Sequence, residues 1–244
     1  MTAVITLLHT EALKLRRSLA LVVCAAAPLC VAGFAALALA TAKAPKSWDR
    51  FLDEGLAMWT FFMLPMAVTA LTILVAQVEH GPRMWNHVLT LPVRRASLFL
   101  AKLGITLALV VVMQLLVYAF LYAAGLAVSA VLPAHQPTGD MVLGGMAVGM
   151  SAMTLGALAL VVVQLWAALR LRSFVPPLVL GIAGTFAALV FTAAGADVYL
   201  PWLLPVYATM WPKIAGLWGV GLGLGLGLVM AAAMIADLSR REAL

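Results

Sequence analysis

VEHGPRMWNHVLTLPVRRASLFLAKL, residues 78–103, is the least apolar stretch near the middle of a very apolar chain. It carries Glu79, Arg83, Arg94, Arg95 and Lys102, and long apolar runs flank it on both sides. Pro82 suits the first turn of a helix, where its missing N–H is not needed. Met84, Trp85, Val88, Leu89 and Leu91 then form an apolar face at i, i+3, i+4 spacing, with Arg83, Asn86, His87 and Thr90 opposite. Pro92 ends the helix, because it has no N–H and disfavours helix at the residue before it. Ser97 is placed to cap the helix that follows. The spacing predicts a short amphipathic helix over 82–91. Such a helix either lies in a lipid surface or offers its apolar knobs to a groove on a soluble partner, its basic rim setting the orientation.

The flanking runs decide the fold class. The chain of 244 residues is 65% hydrophobic and 10% charged, whereas a soluble domain is about 45–50% apolar and about 25% charged. That excludes a soluble globule. A hydrocarbon core of roughly 30 Å needs about 20 apolar residues per helix. The pattern predicts an all-α integral membrane protein in which residues 1–244 form a single transmembrane domain. Six spans are expected, at Leu19–Ala40, Leu56–Val78, Leu98–Val128, Met141–Leu169, Phe174–Gly195 and Ile214–Ala236. The third and fourth exceed one bilayer crossing, so they tilt or project from the surface.

Charge orients these spans. Lys14, Arg16, Arg17, Arg83, Arg94, Arg95, Lys102, Arg170, Arg172, Arg240 and Arg241 fall on one side. Lys43, Lys46, Arg50 and Lys213 fall on the other, offset by Asp49, Asp53, Glu54, Asp140 and Asp197. Loops rich in Lys and Arg stay cytoplasmic, so both termini and the 78–103 stretch are expected inside. The net charge of +6 is thereby explained by topology, without nucleic acid. The first apolar run is longer than the 7–15 residues of a secretory signal core and is read as an uncleaved span. Ahead of it, Ile5, Leu8, Ala12 and Leu15 share one side of a helix, with Thr6, Thr10, Glu11, Lys14 and Arg17 elsewhere. Residues 2–17 read as an amphipathic interfacial helix, with Glu11, Lys14, Arg16 and Arg17 at its polar surface.

No ionisable residue falls near the middle of a span, which argues against an ion-coupled carrier. His9, His80, His87 and His135 all fall in connections, and no base accompanies Ser129 or Ser151, so no catalytic, cofactor-binding or metal site is expected. Cys24 and Cys30 are six apart and read as small apolar side chains. The seven Trp read as interfacial anchors. Thr69, Thr72, Gln77, Gln114, Thr154, Gln164, Thr185 and Thr192 read as helix–helix hydrogen-bonding groups. Gly219, Gly223 and Gly227 have the spacing of close helix approach. Residues 41–55 and 196–213 have room for small helices, the second read as a re-entrant or surface-lying turn.

The run Glu79-x-Gly81, Trp85, Leu89-x-Leu91-Pro92-Val93-x-Arg95, with Lys102 opening the next span, resembles the coupling-helix region of type-2 ABC exporter permeases. Glu11-Ala12-Leu13-Lys14-Leu15-Arg16-Arg17-Ser18 is similar to the start of the lantibiotic-immunity and peptide-resistance branch. One departure is the short Glu79-His80-Gly81-Pro82, where many relatives have Glu-Arg/Lys-x-x-Gly. The resemblance implies a permease subunit of a bacterial cytoplasmic membrane exporter for an amphipathic or lipid-like cargo, such as an antimicrobial peptide. It also implies two copies of a separate ATP-binding subunit, which would hold ATP and Mg, and a second permease chain as homodimer or heterodimer. ATPase coupling would fall to Glu79, Gly81, Arg83, Trp85, Val88, Leu89, Leu91, Pro92, Arg94 and Arg95. The chain has no G-x-x-x-x-G-K-[ST] of its own. A membrane subunit that passes ATPase motion to a periplasmic or extracellular partner, without transporting, is the alternative.

Overall fold

The computed structural model describes residues 2–16, 18–80, 94–139, 145–196, 199–210 and 213–240. The helices are α1 (Thr2–Leu15), α2 (Leu19–Ala40), α3 (Trp48–Met58), α4 (Leu64–His80), α5 (Arg95–Val131), α6 (Met146–Arg170), α7 (Val175–Ala193), α8 (Leu204–Ala208) and α9 (Ile214–Arg240). Six helical rods are long and apolar enough to cross a membrane: α2, α3 with α4, α5, α6, α7 and α9. The expected all-α, six-span class is therefore the one observed. Residues 82–91, the expected amphipathic helix, lie outside the described residues, as does the expected start of the fourth span at 141–144.

An inner set and an outer set of helices follow from composition. The apolar windows of the α3–α4 rod, α5 and α6 are 44–50% buried, whereas those of α2, α7 and α9 are 22–28% buried. Large apolar side chains on the outer helices, such as Phe34, Phe186 and Val229, stay exposed. In water that surface would be unfavourable; against acyl chains it is matched.

Boundaries depart from the sequence expectation in two places. The second span begins at Trp48, because α3 runs through a π-helical turn at Trp59–Met63 into α4. Asp49, Arg50, Asp53 and Glu54 place residues 48–54 in an outer connection, with room for a small helix separate from the span. Yet Trp48, Phe51, Leu52 and Gly55 all bury one helical face. Ser47 caps α3 by accepting from the Arg50 N–H. The third span begins at Arg95, so Ser97 lies inside the helix rather than at its cap. At 37 residues, α5 is about 55 Å long and overruns a hydrocarbon core of roughly 30 Å. Its last turns pack on α3, where Gly125 lies so close to the Trp48 ring that a Cβ would come within 2.5 Å.

Most tryptophans are not simple anchors. Trp59 is fully buried, and its Nε1 donates to Gln114 Oε1 at 2.8 Å across to α5. Trp48 and Trp202 are also buried, the latter over Gly184. Trp218 alone among the described tryptophans matches the exposed anchor expected; Trp85 and Trp211 lie outside the described residues. Intramembrane threonines likewise differ from expectation. Thr69, Thr154, Thr185 and Thr192 each donate to the carbonyl four residues back in their own helix, rather than across helices.

Glycine builds the second half of the bundle. A Cβ on Gly223 would lie 2.5 Å from Gly156 Cα, and one on Gly219 would lie 2.5 Å from the Ala208 nitrogen. Gly221 and Gly225 face open space. The four-residue register therefore locks α9 against α6 and the short α8, while the intervening glycines do not take part. With Leu204 and Ala208 fully buried, α8 is an inserted plug rather than a surface-lying turn.

Candidate functional site

At one end of the bundle stand α1, the last turn of α4 and the first turns of α5. On α1, Glu11 and Lys14 are one turn apart, and Leu15 is buried beside them. Gly104 of α5 leaves room for Leu8, whose Cδ2 would be 3.1 Å from a Cβ there. Seating α1 in this way turns Glu11 inward: the side chain given to the polar surface by its sequence position is 4% exposed. Glu79, at the end of α4, and Lys102, two turns into α5, are each 0% exposed.

The four groups form a closed ring of charge. Lys102 Nζ donates to Glu79 Oε1 at 2.6 Å, Glu79 Oε2 at 2.7 Å and Glu11 Oε2 at 2.8 Å. Lys14 Nζ donates to Glu11 Oε1 at 2.7 Å and Glu79 Oε1 at 3.0 Å. Two carboxylates meet two ammonium groups, so the ring is neutral overall. Burial pushes the Glu11 carboxyl up, but the Lys102 charge, with hydrogen bonds from Lys102 and Lys14, outweighs it and holds Glu11 below its ordinary value. Burial likewise pushes the Lys14 ammonium down; the hydrogen bond to Glu11 and the charge of Glu79 overcome this and raise it.

Further polar links run along the same end. His80 Nε2 lies 3.1 Å from the Ala168 carbonyl, joining α4 to α6. Trp166 Nε1 and Arg170 donate to Asp237 Oδ2 at 2.9 and 2.7 Å, joining α6 to α9. These contacts leave an organised base under the bundle, from α1 across to α9.

Of the expected coupling residues, Glu79 is at the centre of the ring, Arg94 is the exposed residue before α5, and Arg95 is half-buried in its first turn. Gly81, Arg83, Trp85, Val88, Leu89, Leu91 and Pro92 lie outside the described residues, as does Arg17. Lys14 is half-buried and Arg16 exposed. The junction of Lys102 with Glu11 and Glu79 went unread in the sequence, because its members are 91 and 23 residues apart. The available signal was the lone Lys102 inside an otherwise apolar run, which a membrane helix tolerates only when the charge is matched.

The arrangement joins two membrane helices and a lead-in helix at the point where the chain leaves α4 and returns as α5. It offers mechanical linkage, and no nucleophile or base set for chemistry. The model of one sequence family, described as ABC-2 family transporter protein, matches residues 7–188, from α1 to within α7. Nothing matches among curated proteins or among solved structures. With three-quarters of its length inside that match, the chain belongs to the ABC-2 transporter family: it is a multi-pass membrane permease subunit of an ABC transporter, associated with an ATP-binding subunit.

Proposed function

We propose that this permease serves an exporter of amphipathic or lipid-like cargo in a bacterial cytoplasmic membrane, with both termini in the cytoplasm. An antimicrobial peptide of the lantibiotic kind is one cargo of that class, in keeping with the sequence likeness of residues 11–18. Two ATP-binding subunits, loaded with ATP and Mg, seat on the 79–95 region, and two permease chains complete the assembly. Supporting this is the ring Glu11–Lys14–Glu79–Lys102, which makes α1 and the bases of α4 and α5 one mechanical unit. Force applied between residues 80 and 94 thus meets a fixed footing, and displaces helices rather than being lost in a soft interface.

The apolar interior supports the cargo class. No ionisable side chain among the described residues lies in the central turns of a span, which disfavours ion coupling through them. The 37-residue α5, longer than a hydrocarbon core of roughly 30 Å requires, with the charged α3 packed on its last turns, favours a second reading, in which ATPase motion is delivered to an extracellular partner.

The test is to isolate the chain from its own membrane in mild detergent, identify co-purifying subunits and measure ATP hydrolysis, with Trp85→Ala and Leu89→Ala in parallel. A co-purifying ATPase that either substitution releases or uncouples supports the coupling role. Retention with unchanged hydrolysis in both variants refutes it.

A further inference from the structure

The end opposite the charge ring holds a cup of about 640 Å³. Its walls come from α3 (Asp53), α5 (Tyr118), α6 (Val148, Gly149) and the connection from α8 to α9 (Thr209, Lys213). Two opposite charges, Asp53 and Lys213, line the same cavity and are exposed. Among the described residues neither has a salt-bridge partner: every other acidic group with an ion pair finds it elsewhere. Tyr118 is buried, and among the described residues its hydroxyl meets the Met153 sulfur at 4.0 Å.

Beside the cup are two apolar grooves. One, of about 680 Å³, runs between α5 (Val111, Leu115) and α6 (Met146, Met150, Leu155). Another, of about 340 Å³, lies between α6 and Val220 of α9 and shares Val148 with the cup. Along α6 the grooves run from Met146 to Leu155, about 14 Å at 1.5 Å per residue. Half of a hydrocarbon core of roughly 30 Å is about 15 Å. The groove is therefore one leaflet long, and a polar cup bearing both signs of charge stands beside it.

The geometry points to a binding site for a zwitterionic phospholipid-type amphiphile, with its ammonium group on Asp53, its phosphate on Lys213 and one acyl chain in the groove between α5 and α6. A cationic peptide would meet Lys213 as a repulsion, and an anionic lipid would leave Asp53 opposed, so both charges together select the zwitterion. This assignment rests on the reading of the chain as a permease for lipid-like cargo and places that cargo's last position in the outer leaflet.

Binding of lysophosphatidylethanolamine and lysophosphatidylglycerol to the full chain in maltoside detergent, read by native mass spectrometry, tests it. The ethanolamine probe should bind about tenfold more tightly, the order expected for one charge-assisted hydrogen bond. Asp53→Asn should bring the ratio near one by weakening the ethanolamine probe alone. Lys213→Gln should weaken both probes, as should Met150→Trp, which fills the groove between α5 and α6. Val190→Trp, exposed on α7 away from the cavity, should change neither. Equal binding by the native chain, or a ratio untouched by Asp53→Asn, overturns the site. Tighter binding after Lys213→Gln also overturns it, since the occupant would then be a cation such as an amphipathic peptide. Asp53 and Lys213 are exposed, so unchanged melting curves verify that these variants fold. ATP-driven depletion of the same probe from vesicles containing the whole transporter separates the two readings. Depletion without selective binding removes only the site, and selective binding without depletion removes only the export reading.

Discussion

Replacing Lys102 with methionine tests the charge ring most directly. Its Nζ is fully buried and touches three carboxylate oxygens between 2.6 and 2.8 Å. Methionine fills nearly the same volume, so the packing loss is small and the electrostatic loss dominates. Two buried carboxylates would remain with Lys14 alone, whose side chain is 26% exposed. Removing one partner of a buried pair costs about 3–5 kcal/mol, because the other charge stays behind uncompensated. Against a total stability of about 5–15 kcal/mol that is a large share. At about 2–4 °C per kcal/mol for a chain of this size, melting in detergent should fall by about 6–20 °C. The double variant Lys102→Met with Glu79→Gln should melt higher than Lys102→Met alone, because it deletes the stranded charge as well. Lys213→Gln, on an exposed lysine at the other end, should shift melting by less than about 2 °C. A Lys102→Met chain that melts with the native protein would refute the account. So would a double variant that melts at or below the single one, since packing rather than charge would then hold the base together.

Three other outcomes follow from the same geometry. Gly223→Val should lower stability by about 1–3 kcal/mol through the clash with Gly156, whereas Gly225→Ala should be neutral or gain up to about 1 kcal/mol from helix propensity; melting curves of the two compare them. Docking of α1 should be fully supported between pH 4.5 and pH 10.5, the ordinary values of its two groups. The lowered Glu11 contributes stability above its ordinary value that is lost as pH falls through its depressed one, and the raised Lys14 contributes stability that is lost as pH rises through its elevated one. A dye on Thr6→Cys, with Cys24 and Cys30 changed to Ala, should report α1 release only outside that window. In the ATP-driven complex, spin labels at Leu115→Cys and Met150→Cys, across the α5–α6 groove, should change separation, while labels at Ala12→Cys and Leu100→Cys, within the base, should hold theirs.

The class and the number of spans were legible because a membrane imposes one rule, a long apolar run, and this chain obeys it with few interruptions. What the sequence hid follows from the same physics. The extension of the second span to Trp48 was masked by Asp49, Asp53 and Glu54, charges that mark the exposed side of an amphipathic helix as readily as a loop. Trp59 looked like an anchor because Trp often is one; its burial depends on Gln114, 55 residues away. Glu11 looked like surface because residue type outweighs periodicity in such a reading. Placing it inside required knowing that Lys102 stands opposite. Apolar periodicity reports which face is buried, and it fails where the buried face is itself charged and neutralised.

The contacts divide the helices unevenly, and the division bears on how motion would travel. At the base, α1, α4 and α5 are tied by the charge ring, and α2 packs on both α4 and α5. On the other side, α6, α8 and α9 are locked by backbone contact at Gly156, Gly219 and Gly223, where sub-ångström shifts already meet repulsion. Between the two sets, His80 Nε2 meets the Ala168 carbonyl and joins the bases of α4 and α6. The apolar groove lies on this seam, with α5 on one wall and α6 on the other, and the cup bridges the seam from Asp53 and Tyr118 to Thr209 and Lys213. A continuous helix joins the two ends: from Lys102 to Tyr118, α5 rises about 24 Å with no proline or break. Displacement of the base relative to α6 would therefore be carried by α5 to the groove walls. Coupling between distant sites requires an element that both ends touch, and the α5 wall of the seam, held at Lys102 by the ring and at Tyr118 by the cup, meets that condition.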